Sequence, residues 1–106
     1  MPTLTSQFSY NFEWDPNKAR LNSSKHGISF ELAATIFRDS LALTIPDQEH
    51  SEHEERWITL GLDESSRLLV VVHTYRQEND QSTVIRIISA RKATTKERQY
   101  YEKVSQ

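Results

Sequence analysis

A chain of 106 residues with no cysteine and two glycines has room for one small domain with one core. It cannot form disulfides, thiolate metal centres or a glycine-rich phosphate cradle. No run approaches the roughly 18 apolar residues of a membrane span, and the start MPTLTSQFSY lacks the basic and apolar regions of an export signal; a cytoplasmic protein with no membrane partner is expected.

The net charge of −2 hides a division. Five acids and no Lys or Arg lie between Asp47 and Glu55, whereas six cations meet two acids from Arg86 to Lys103. Such a distribution suits two surfaces with different partners, although a solvated loop and a solvated helix would also produce it.

Residues 1–7 are expected to form a loose extension of a single 1–106 domain. FSYNFEW (8–14) alternates aromatic and polar residues, which predicts a strand with Phe8, Tyr10, Phe12 and Trp14 on one face. Asp15-Pro16 reads as an N-cap and first helical residue, opening a helix that ends near His26 at Gly27. Only Ala19 and Leu21 offer apolar surface there, so Lys18, Arg20, Lys25 and His26 form a solvated or functional cationic set. Ser29 caps a second helix with Phe30, Ala33, Ala34 and Phe37 as its buried stripe, and Ile28 staples onto Ala33.

LALTIP (41–46) predicts a short edge strand stopped by Pro46. After the acidic loop, ERWITLGL (55–62) and RLLVVVHTYR (67–76) form a hairpin. The second strand is apolar on both faces, with Leu69, Val71, His73 and Tyr75 on one side and Leu68, Val70, Val72 and Thr74 on the other. QENDQS follows as a polar loop. TVIRIISARKA (83–93) is another strand, with Arg86 on the Val84, Ile88 and Ala90 face. Thr94 and Glu97 make a capping box for a last helix through Tyr101. The order β-α-α-β-β-β-β-α predicts an α+β fold with a mainly antiparallel sheet, an antiparallel meander being the simplest pairing.

His50-Ser51-Glu52-His53-Glu54-Glu55 has metal-ligand residue types but not the helical spacing of a zinc protease motif, so no metal and no cofactor are expected. What remains is acid–base chemistry on an anion. Glu55, His73 and either Lys25 or His26 can move protons, while Arg56, Arg76, Arg86 and Arg91 can grip an anion. An RNA phosphodiester needs only this set, because its own 2′-hydroxyl is the nucleophile. The structural alternatives are plain. His73, inside an apolar run, fits a hydrogen-bonded core position, and Arg86, between two isoleucines, needs a carboxylate partner such as Glu55 or Glu31 unless it opens into a site.

FEWD (12–15), KHGISFELAATIF (25–37), EERWITLG (54–61), LLVVVHTYR (68–76) and IRIISARKATTKERQYYE (85–102) together resemble the BrnT family of type II toxin–antitoxin toxins, over nearly the whole chain from Phe12 to Glu102. The resemblance implies a RelE-like fold and a metal-independent endoribonuclease that inhibits translation. It also implies a BrnA-type ribbon-helix-helix antitoxin, through which alone operator DNA would be bound. It points to Lys25, His26, Glu55, Arg56, Arg86 and Arg91 as catalytic residues, with His73 a weaker correspondence. Which of Glu55 and Arg56 faces substrate stays open, since Glu55 shares strand parity with Trp57 and Arg56 with Ile58. The alternative function is a non-catalytic module that binds a partner protein.

Overall fold

The computed structural model describes residues 9–50 and 54–104; the predicted extension 1–7, Phe8 and the segment Ser51–His53 lie outside them. Strand β1 (Ser9–Glu13) leads into helix α1 (Pro16–His26). The Asp15 carboxylate accepts the Asn17 amide at 2.8 Å. Gly27 closes the helix at φ +69°, donating to the Ser23 carbonyl at 2.8 Å, the left-handed stop that glycine adopts without strain. Ser29 Oγ accepts the Leu32 amide at 3.1 Å to start α2 (Phe30–Ala34). That helix tightens into a 3-10 turn at Thr35–Arg38.

Four antiparallel strands follow: β2 (Leu43–Pro46), β3 (Trp57–Leu62), β4 (Leu68–Asn79) and β5 (Ser82–Lys92). A 3-10 turn at Gln48–His50 lies between β2 and β3. Helix α3 (Thr95–Val104) ends the described chain, and its capping box forms as predicted, with the Thr94 amide on Glu97 at 2.8 Å and the Glu97 amide on Thr94 Oγ1 at 3.2 Å.

The sheet order is β1-β5-β4-β3-β2. The meander holds for β2 to β5, but β1 pairs in parallel with β5, Ser9 opposite Ser82 and Glu13 opposite Arg86. The sheet is therefore mixed, and Phe12 and Trp14 pack against the helix-side core beside β5.

Each face of the sheet carries its own core. On one side Ile28, Phe30, Ala33 and Ile36 pack on Leu69, Val71, Ile85, Ile87 and Ala90. On the other, Tyr101 of α3 packs with Leu60, Leu68 and Val70. The two-sided apolar pattern of β4 is thus real. Gly61 lets the helix side close down, since a Cβ there would meet Ala42 and Ile36 at 3.2–3.3 Å.

Two expectations fail. Leu21 is 69% exposed, while its neighbour Asn22 is buried, its amide donating to the carbonyls of Ile28 and Ala90 at 3.1 and 2.9 Å and its oxygen accepting the Ala90 amide at 3.1 Å. A polar staple, not an apolar stripe, joins α1 to β5. The QENDQS loop is also mostly strand: β4 runs to Asn79 and β5 starts at Ser82, so only Asp80 and Gln81 turn the corner, with the Gln81 amide on Asn79 Oδ1 at 2.8 Å.

Candidate functional site

Cross-strand partners in a sheet share a face. Thr74 pairs with Arg86 and Val70 with Arg91, which places both arginines on the face opposite α1 and α2. They are five positions apart in the chain, and regular alternation would put them on opposite faces. A β-bulge restores them to one. His73 pairs with Ile87 but Val72 with Ser89, leaving Ile88 as the extra residue. The expectation that Arg86 shares a face with Ala90 is corrected here, because Ala90 pairs with Val71 in the helix-side core. A bulge of this kind re-aims side chains beside a site.

The same register brings Arg56 to the row. Trp57 pairs with His73, so Arg56, one residue earlier, stands level with Thr74, as Arg86 does from the other side. Neighbouring strands are about 4.8 Å apart, so the two backbones are separated by roughly 10 Å and their long side chains can converge. Arg56 lines a cavity of about 300 Å³ with Asp47, Glu49, His50, Ile58, Val72, Ile88 and Ser89. Glu55 is exposed and outside this lining. Of the Glu55–Arg56 pair, the arginine faces the cavity.

Carboxylates attend the cations. Arg86 pairs with Glu54, both side chains roughly half exposed, rather than with Glu55 or Glu31. Arg76, on the same face, meets Glu13 at 3.3 Å. Arg91 forms a two-point pair with Glu97 of α3 at 2.8 and 2.9 Å. That bond, with burial opposing it, lowers the Glu97 carboxyl to about 2 and raises Arg91 further. Arg91 therefore braces α3 against the sheet.

The remaining candidates lie elsewhere. Lys25 and His26 end α1, the last turn where cations favour the helix dipole, and neither lines the cavity. His73 is fully buried on the helix side, its Nε2 2.7 Å from Thr59 Oγ1 and its ring edge-to-face with Phe37 and Tyr75. Burial lowers it to about 4, so it is neutral at physiological pH.

The feature that sequence reasoning did not assign to a site is Asp47 with His50. Asp47 is buried, and its carboxylate oxygens stand 3.1 and 3.2 Å from His50 Nδ1. A three-residue spacing at the start of a helical turn, just after a proline, was the available signal. No cluster of three or more metal-ligating side chains occurs among the described residues; the predicted loop's His53 lies outside them.

Fold and cavity together define a small α+β protein with a cation-lined sheet face. The family model for the ribonuclease toxin BrnT of type II toxin–antitoxin systems matches residues 14–97, and the chain belongs to that family. Membership implies an RNA substrate and a protein antitoxin. The crystal structure of the Brucella abortus ribonuclease toxin BrnT is similar in fold, with a TM-score of 0.53 at 20% identity over 82% of this chain and all of that one. No curated protein matches. Among the described residues no helix is long and apolar enough to cross a membrane.

Proposed function

We infer that the chain is a metal-independent endoribonuclease that cleaves RNA by in-line attack of the 2′-hydroxyl on the adjacent phosphorus and so inhibits translation in the cytoplasm. The observation that carries this reading is the placement of Arg56 and Arg86 on either side of Thr74, on the sheet face opposite α1 and α2, with Arg56 in a cavity. Two guanidiniums converging on one phosphate supply bidentate hydrogen bonds and positive charge where the pentavalent transition state gathers negative charge. The substrate brings its own nucleophile, so the protein supplies orientation, charge and proton transfer. Arg91 acts by fixing α3, and Lys25 and His26 can reach only RNA that extends past the cavity.

A BrnA-type ribbon-helix-helix antitoxin would neutralise the enzyme by covering this cationic face, operator DNA being bound through the antitoxin alone. Its association is then fast and salt-sensitive.

Arg56→Gln and Arg86→Gln test the reading. Each should weaken RNA binding, make its log–log salt dependence shallower by about 0.7, and relieve growth arrest while the circular dichroism spectrum stays native. RNA affinity and arrest unchanged in both variants would overturn it.

A further inference from the structure

We propose that His50, oriented by Asp47, is the general base that takes the proton from the attacking 2′-hydroxyl; the inference rests on the ribonuclease reading above. The cavity that holds Arg56 is lined on one side by the 3-10 turn Gln48–His50. That turn is tied to the arginine through the backbone. The Asp47 amide donates to the Arg56 carbonyl at 2.8 Å, and the His50 amide to the Asp47 carbonyl at 3.3 Å. Pro46 pairs with Trp57 in the sheet just before it. Imidazole and guanidinium therefore share one frame, which is what a site needs to keep proton transfer and phosphate binding in register.

Within the pair the roles are set by burial. The Asp47 side chain is 9% exposed and that of His50 63%, so the carboxylate can face only inward while the ring reaches the cavity mouth. A carboxylate accepts a hydrogen bond, so Nδ1 carries the hydrogen and Nε2 of the neutral ring keeps its lone pair outward. Of the other groups of proton-transfer type, His73 is buried on the opposite face and Glu55 stands outside the lining; Glu49 lines the cavity too, but it is His50 that a buried carboxylate orients.

In the step itself, Nε2 takes the 2′-hydroxyl proton as O2′ bonds to phosphorus, and the bond from phosphorus to the 5′-oxygen breaks. That oxygen takes a proton from water, leaving a 2′,3′-cyclic phosphate and a 5′-hydroxyl. The imidazolium, held against the Asp47 carboxylate, later releases its proton to solvent.

The test uses the full chain, a long unstructured RNA and EDTA throughout. His50→Ala should lower kcat by about 10²–10⁴-fold with KM little changed, and Asp47→Asn should lower kcat in the same direction by less. Added imidazole should restore cleavage to His50→Ala but not to Arg56→Gln, a rescue that a purely structural histidine would not show. A His50→Ala enzyme with at least half the wild-type kcat, or one that imidazole fails to restore, overturns the proposal. Failure of the wild type to cleave RNA at all in EDTA overturns the ribonuclease reading instead, so the two failures are distinct.

Discussion

His73 and Asn22 are polar side chains in the core, and each has a measurable consequence. Burial holds His73 at about 4 against an ordinary 6.5. Between those values the unfolded chain carries a proton that the folded chain does not, so stability falls as pH drops through the window, by at most about 1.4 kcal/mol per unit. Urea midpoints from pH 7 to 4.5 should show that slope, and His73→Gln should flatten it; an equal slope in the variant would mean another group is responsible. Asn22→Ala leaves the Ala90 amide and carbonyl without their partners and should lower stability by about 1–3 kcal/mol in urea unfolding. The apolar run around His73 already offered the core reading, but the role of Asn22 could not be taken from a local pattern. Leu21 is the better apolar candidate for α1, and only the contact with Ala90, 68 residues away, explains why its polar neighbour is buried instead.

Elements were legible where their signals are local. Asp15-Pro16, Gly27, Ser29 and the Thr94–Glu97 box mark helix ends through bonds within a few residues, and β4 announced its two covered faces by composition. The parallel docking of β1 and the bulge at Ile88 depend on pairing across the sheet and leave no such mark. The bulge matters most, since it turns Arg86 and Arg91 to one side. Helix α3 is started by its capping box and held in place by two devices: the Arg91–Glu97 pair and the Tyr101 hydroxyl donating to Asp39 at 2.5 Å. Burial and the Asp39 carboxylate raise Tyr101 to about 12. The folded chain keeps that proton where the unfolded chain loses it, so stability should decline from about pH 10 towards 12. Thermal melts across that range should show the decline in the wild type and much less of it in Tyr101→Phe.

For the molecule as a whole, the acidic segment and the cationic strand that seemed to be separate surfaces meet. Glu54 pairs with Arg86, and Asp47 and His50 line the cavity of Arg56. An RNA phosphate reaching Arg86 must displace a carboxylate, so Glu54→Gln should tighten RNA binding severalfold at low salt, with the gain shrinking as salt rises; a weaker complex would make Glu54 a contributor to binding instead. Asp47, Glu49, His50 and Arg56 thus stand on one side of a cavity whose other side includes Ile88 and Ser89 of β5. Its residue types were visible in the sequence. Their convergence was not, because it needs the β3–β4–β5 register.

The central claim is that RNA is cut by its own 2′-hydroxyl, without a metal, on the face that carries Arg56 and Arg86. The most direct measurement is cleavage by the purified chain in EDTA, with the ends of the products identified. The account predicts cleavage that leaves 2′,3′-cyclic phosphates and 5′-hydroxyls, and no cutting where the preceding nucleotide is 2′-deoxy. No cleavage, or 3′-hydroxyl and 5′-phosphate ends that appear only when a divalent metal is restored, would contradict it.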